Sequence, residues 1–290
     1  MIDKLEMFVA LAREGHFGRA ATAHGVTQPT LSSAIRALED QLGVQLVIRG
    51  ARYQGLTPEG LRTLDWARRI TRDARHLRDE MRSARRGVAG HIRLGVIPTA
   101  LARVAQITAP FMAAHPQVRL TIRSASSAEI VEGLETFELD AGVSYIDGLP
   151  ARISHVPFFE EHYRLVERSN ETGPLPWVEA ASRPLCLLTP EMQNRRIIDR
   201  HLGEAGVETG VEAQARLSSN STITLLAHVA QGGWSAILPQ ALAEGVMLPA
   251  GCTARALTPE FTHPIGMILP SRDLIGPALQ ALLGQIEAKE

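Results

Sequence analysis

Val26-Thr27-Gln28-Pro29-Thr30-Leu31-Ser32-Ser33-Ala34-Ile35-Arg36-Ala37-Leu38-Glu39-Asp40-Gln41-Leu42-Gly43 is the stretch that decides how the rest of the chain is read. On a helix from Gln28 to Leu42, the residues Leu31, Ile35, Leu38 and Leu42 share one face. Gln28, Ser32 and Arg36, spaced i, i+4, i+8, line another. Gly43 is the residue type that ends a helix in the left-handed region. Thr27 stands where a hydroxyl caps the first turn, with remaining amides and the positive dipole end free for a phosphate. Any amphipathic surface helix can carry such a face without a partner. The same side chains also suit a helix entering a major groove, where glutamine pairs with adenine and arginine with guanine or phosphate.

The flanking sequence favours the second reading. Leu5, Phe8, Val9 and Ala12 predict one amphipathic helix, Gly15-His16-Phe17-Gly18 breaks it, and residues 19–24 predict a second. Gly25-Val26-Thr27 then turns into the third. After Gly43, an apolar run at 44–48 and the turn-rich Arg49-Gly50-Ala51-Arg52-Tyr53-Gln54-Gly55 predict a two-stranded wing. Phe8-Val9, Phe17, Ala20-Ala21, Val26-Thr27-Gln28-Pro29-Thr30-Leu31-Ser32, Ile35, Leu38-Glu39, Leu42-Gly43-Val44-Gln45-Leu46, Arg49 and Leu56-Thr57-Pro58-Glu59-Gly60 stand in a single register. Through them, residues 1–60 resemble the LysR-type transcriptional regulators.

The resemblance implies a winged helix-turn-helix over residues 1–58, with Gln28, Pro29, Ser32 and its successor on DNA and Arg52 in the minor groove. Together with the helix reading, the expected DNA contacts are Thr27, Gln28, Pro29, Thr30, Ser32, Ser33, Arg36 and Arg52. The family usually has a basic residue after Ser32 and this chain has Ser33, which leaves Arg36 to carry the charge or implies a different base preference. His16 stands where the family commonly has serine. Gly18 lies near a helix start that serine or threonine would cap better.

Residues 59–88 contain no proline, and no glycine until Gly87 once Gly60 is passed. Thr63, Ala67, Ile70, Ala74, Leu77, Met81, Ala84 and Val88, spaced alternately four and three apart, form a heptad seam. Its small residues make it too weak to stand alone. Ala67, Ile70, Ala74, Leu77, Met81 and Ala84 are therefore expected to pack against a second copy, giving a homodimer, and the family resemblance extends this to a tetramer.

From His91 the pattern changes to alternating strands and helices. Strands end at Val96, Arg123 and Tyr145, and helices follow Pro98-Thr99 and a capping-box pattern at Ser126-Ser127-Ala128-Glu129. A second α/β set begins at Leu185, with a helix from Asn194 to Ala205 and strands at 211–217, 235–238 and 264–269. Such alternation implies a parallel sheet covered by helices. The fold class is thus α/β with an N-terminal all-α winged helix-turn-helix. By resemblance, residues 91–290 form a two-lobed periplasmic-binding-protein-like effector domain, with lobe one about 91–162 and 266–290 and lobe two about 163–265.

In such a domain strand ends and helix N-termini converge on the cleft between lobes, and their N–H groups favour anions. Thr99, Ser126 and Ser127 are expected from lobe one, facing Thr189, Pro190, Gln193 and Asn194, with Ser218, Asn220 and Ser221 nearby. Each hydroxyl taken singly reads equally as a helix cap. As a convergent set they point to a small polar effector bearing a carboxylate.

Charge agrees with this division. Residues 1–90 carry 15 Lys+Arg against 10 Asp+Glu, and the remainder 15 against 21, so only the head suits a polyanion. Hydrophobic residues make up 45%, yet no apolar run reaches the ~18 residues of a membrane span. The N-terminus lacks the pattern of a signal peptide, so the cytoplasm is expected. Cys186 and Cys252 show no metal or disulfide spacing, and no cofactor or metal site is expected. Metalloprotease, P-loop, dinucleotide and nucleophile-elbow motifs are all lacking, which argues against an enzyme. A sensor acting only through protein–protein contacts remains as the alternative.

Overall fold

The computed structural model describes residues 1–48, 50, 53–205, 215–244, 247–270 and 274–288. Packing divides the chain into two units, Met1–Gly90 with Leu274–Pro277, and His91–Asp273 with Ala278–Glu290.

The first unit is built from four helices, α1 (Ile2–Glu14), α2 (Phe17–His24), α3 (Gln28–Leu42) and α4 (Pro58–Arg86). Leu5, Phe8, Leu11, Ala20, Ala21, Leu31, Ile35, Leu38, Leu46, Leu64 and Ala67 close one apolar core. Gly15, Gly25 and Gly43 each end a helix at positive φ, where a side chain would be strained. The second helix starts two residues earlier than its apolar pattern implies, because His16 is its cap. The His16 Nδ1 accepts from the amides of Gly18 at 3.0 Å and Arg19 at 3.4 Å. Gly18 makes room for that ring: a Cβ there would stand 3.1 Å from His16 Cε1.

Among the described residues of the expected two-stranded wing, Val47 and Leu56 form an antiparallel bridge, and the Ile48 amide donates to Gly55 O at 3.0 Å. Arg49, Ala51 and Arg52 lie outside the described residues. The Glu39 carboxylate holds the base of this segment, accepting from the amides of Leu46 at 2.8 Å and Val47 at 3.1 Å. Thr57 caps α4, and its hydroxyl also donates to Gln45 O at 2.6 Å.

The second unit is a continuous ten-stranded arrangement. Its strands are β1 (Gly90–Val96), β2 (Val118–Ser124), β3 (Ala141–Tyr145), β4 (Ile153–Glu167), β5 (Leu175–Pro176), β6 (Leu185–Leu188), β7 (Ala215–Ser219), β8 (Ser235–Pro239), β9 (Thr253–Thr258) and β10 (Thr262–Pro270). The order along the main path is β2-β1-β3-β10-β4-β8-β6-β7. β1 and β3 run parallel, as do β6 and its neighbours β7 and β8, in keeping with the expected alternation.

The departure from a parallel sheet lies in the centre. β4 and β10 are antiparallel to each other and to their other neighbours. β4 pairs with β10 as far as His162 and, from Tyr163 onward, with β8 and β9. It thereby passes from one set of strands to the other. β10 pairs with β4 from Thr262 and with β3 from Ile265. The strand expected at 211–217 is described as Ala215–Ser219, since residues 211–214 lie outside the described set. The capping box is present: the Ser126 hydroxyl accepts from Glu129 N, and the Glu129 carboxylate accepts from Ser126 N at 2.8 Å.

Candidate nucleic-acid interface and effector cleft

Helix α3 runs from Gln28 to Leu42 as its pattern predicts, but Leu42, expected on the buried face, is exposed at the helix end. Leu31, Ile35 and Leu38 are buried against α1 and α2, whereas Gln28, Pro29, Thr30, Ser33 and Arg36 are exposed and Ser32 is half-buried. The Thr27 hydroxyl accepts from Thr30 N at 3.4 Å and lies 2.8 Å from the Thr30 hydroxyl. Pro29 has no amide and that of Thr30 faces its cap, so Gln28 is left to present its N–H at the start of the helix. This is a rigid polar face of the length and chemistry a major groove accepts.

On α4 the seam divides. Ala67 is 0% exposed and belongs to the head core beside Leu64, which corrects its assignment to an intermolecular contact. The head's own core takes only the N-terminal part of the helix, through Leu64 and Ala67. The exposed column is Trp66, Ile70, Leu77, Met81 and Ala84, with Ala74 half-buried at its edge. Trp66, 64% exposed, was outside the expected seam because the heptad phase ran through its neighbour.

In the second unit, a narrow cavity is lined by Ile97, Pro98, Thr99, Ser126, Ser127, Tyr145, Leu188, Met192, Gln193 and Asn194. Thr99 belongs to a short 3-10 turn between β1 and α5 (Leu101–Ala114), Ser126 and Ser127 begin α6 (Ser127–Glu135), and, beyond α7 (Trp177–Ala181), Gln193 and Asn194 begin α8 (Gln193–Glu204). Five of the ten expected effector residues are thus brought together.

Thr189, Pro190, Ser218, Asn220 and Ser221 do not line it. Thr189 donates instead to Glu191 at 2.6 Å, and Ser218 is exposed on β7, facing Arg195. Ser126 lies at the cavity, but its hydroxyl is engaged in the capping box, so its helix-cap role holds. The Ser127 hydroxyl accepts from Ser144 at 2.9 Å. Thr99 is fully buried at the cavity floor, not on its rim.

Tyr145, Glu161 and Tyr163 escaped the sequence reading. Tyr145 ends a predicted strand, and the rule that ligands bind outside strand carboxyl ends could have found it. Glu161 and Tyr163 lie on β4, a stretch for which the pattern of residues predicted no element. Burial pushes the Glu161 carboxyl up to about 7, while hydrogen bonds from the two tyrosines act in the opposite direction. Both tyrosine hydroxyls are raised, chiefly by burial and then by Glu161.

A helix-turn-helix head followed in the same chain by an α/β body with a polar cleft defines the class of one-chain regulators with a sensor-type domain. Residues 2–61 match the model of the bacterial regulatory helix-turn-helix protein, lysR family, and residues 85–289 match the LysR substrate binding domain. The chain belongs to the LysR family of transcriptional regulators, which are not enzymes.

Among its relatives, the hydrogen peroxide-inducible genes activator of Haemophilus influenzae is 31% identical over 63% of this chain and 60% of that protein. The regulator XapR of Escherichia coli is 39% identical over 48% of each, so the matches span about half to three fifths of these two relatives. The dual regulator OxyR of Escherichia coli is 28% identical over 82% of this chain and 78% of its own. In fold, a full-length OxyR variant of Pseudomonas aeruginosa matches 99% of this chain and 97% of its own with a TM-score of 0.74 at 23% identity. CbnR in complex with its target DNA matches 100% of both chains with a TM-score of 0.69 at 22% identity.

Proposed function

We propose that this regulator binds promoter DNA as a homodimer, further paired into a tetramer, under the control of a small polar effector held in the cleft. The observation that carries the DNA assignment is the exposed face of Gln28, Ser33 and Arg36 on a helix whose other face is buried leucine and isoleucine. Gln28, Ser32 and Arg36 read the major groove, and Arg52, by family resemblance, the minor groove. The stripe from Ile70 to Ala84 joins two heads, because one head reads too few base pairs for useful affinity. Among the described residues no helix is long and apolar enough to cross a membrane, and we assign the protein to the cytoplasm as the place of its DNA target.

The effector carries a carboxylate. Support comes from α8, whose first residue follows Met192 without a side-chain cap, so its first-turn amides are open to an anion beside the cleft. Thiol chemistry of the kind a peroxide attacks needs an accessible, low-pKa cysteine. Cys186 is fully buried with its thiol pushed up to about 11, and burial raises Cys252 as well. These two positions favour a bound ligand over an oxidised thiol.

The test is a gel shift on the gene's own upstream DNA at two salt concentrations. Gln28→Ala is expected to cost about 1–3 kcal/mol and to relax specificity at one base pair. Arg36→Ala should weaken binding and flatten its salt dependence. Wild-type behaviour from both variants would remove α3 from the interface. Footprints that never respond to added metabolites would remove the effector.

A further inference from the structure

Beneath Tyr145 and Asn194, which line the cleft, its floor is backed by a polar group for which a carboxylate-binding site has no use. Glu161 is 2% exposed on β4. Its Oε2 accepts from the Tyr145 hydroxyl and, at 3.1 Å, from that of Tyr163. Its Oε1 has no hydrogen-bond partner. The same holds for Thr99 Oγ1 and Asn194 Oδ1, on residues 1% and 3% exposed that line the cavity directly. Asn194 uses its Nδ2 on the Tyr145 oxygen at 3.3 Å. Thr99 and Asn194 stand within weak hydrogen-bonding reach of the Glu161 carboxyl, which draws its pKa down against the upward push of burial, but these contacts fall short of full hydrogen-bond geometry.

Among the described residues no cation forms an ion pair with Glu161. Its cross-strand neighbour His263 turns to His201, Nε2 to Nε2 at 3.0 Å, and toward Asp147 at 3.7 Å. Burial lowers the pKa of both histidines and so favours their neutral form. A buried carboxyl without a counter-ion and three unpartnered oxygens in one wall are each costly, by a few kcal/mol per group. The Asn194 oxygen can only accept, and so can the Glu161 oxygen once the carboxyl is ionised. A water molecule offers two donors and no charge, whereas a primary ammonium offers three donors and a full positive charge.

We infer that this floor is an ammonium subsite, in which Glu161 Oε1, Asn194 Oδ1 and Thr99 Oγ1 accept the three N–H donors of a protonated amine on the effector. The inference rests on the cleft being the effector site and deepens it. With a carboxylate at the start of α8 and an amine on the floor, the ligand class is a small amino acid.

The full-length protein is to be screened by thermal shift against the standard amino acids and their matching 2-hydroxy acids. The strongest responder is then titrated calorimetrically into wild type, Glu161→Gln and Thr99→Val. At least one amino acid should raise the melting temperature, and its hydroxy acid should bind ~10-fold or more weakly. Glu161→Gln, which keeps an oxygen for both tyrosines, should lose ~10-fold or more in affinity, and Thr99→Val roughly several-fold.

No response to any amino acid, equal affinity for the hydroxy acid, or unchanged affinity in Glu161→Gln would overturn the ammonium subsite. A carboxylate without an amine that is still weakened by Thr99→Val would leave the effector cleft standing. A ligand indifferent to both variants would remove the cleft as well. Should Glu161→Gln fail to fold, Thr99→Val decides the amine-dependent part, because valine matches the shape of threonine and removes only the hydroxyl.

Discussion

Gly60→Ala is expected to unfold the DNA-binding head while leaving the α/β body folded. Gly60 lies in the first turn of α4, where its amide donates to the Thr57 hydroxyl at 2.9 Å and Thr57 N donates to Leu46 O at 3.0 Å. These bonds draw the start of α4 onto the Leu46 backbone. A Cβ at position 60 would fall on the Leu46 carbonyl oxygen and stand 3.0 Å from its carbon. Neither partner is a side chain that can rotate away, so relief requires moving α4, with its core residues Leu64 and Ala67, away from the rest of the head core. Overpacking ordinarily costs about 1–3 kcal/mol, and a backbone clash lies at or above the top of that range. For a small head of ordinary marginal stability this is most of what holds it folded.

Thermal unfolding of the variant should show an early transition and a gel shift should show no complex, while ligand-dependent stabilisation of the body persists. Gly203→Ala is the matched control. Gly203 lies in the last turn of α8, exposed, without a positive φ and with open space for 4 Å around the place a Cβ would take. There alanine should be neutral or stabilising by up to ~1 kcal/mol. An unchanged head in Gly60→Ala would mean that α4 does not start against Leu46.

The double substitution Leu77→Glu with Met81→Glu is expected to yield monomers. Leu77 and Met81 are 60% and 55% exposed in the single chain, one turn apart on the apolar column of α4. Two like carboxylates in a helix–helix seam lose apolar burial and remain unpaired in the interface. A rise of roughly a thousandfold in the dimer dissociation constant corresponds to about 4 kcal/mol. Analytical ultracentrifugation at micromolar concentration should find a single species at monomer mass, with intact circular dichroism because these positions lie outside the head core. Trp66→Glu tests the phase of the seam: it should also weaken the dimer if the exposed column is the contact. Unchanged oligomers from both variants would place the interface elsewhere.

Local sequence alone determined the helices of the head. Helical periodicity placed α3 from Gln28 to Leu42, glycines at positive φ ended three helices, and Ser126 with Glu129 announced their capping box. Such signals are legible because both partners lie within four residues of each other. The parallel strands were legible for a similar reason, since each alternates with a helix of its own period. Five cleft residues were found because strand ends and helix starts meet at a predictable edge.

Tertiary structure decided everything that depends on a distant neighbour. Ala67 and Trp66 are adjacent on the same helix, and only the packing of the head core turns one inward and leaves the other exposed. Ser126 has its hydroxyl engaged in the cap, while the serines and threonine expected from β6 and β7 fall outside the cavity. Glu161 sits in a run that reads as solvated, Glu160-Glu161-His162, yet β4 carries it between the two sets of strands into contact with Tyr145. A strand's alternation says which residues share a face. Which face is buried, and beside what, is set by β10 and β8 on either side of β4, partners about 70 to 100 residues further along the chain.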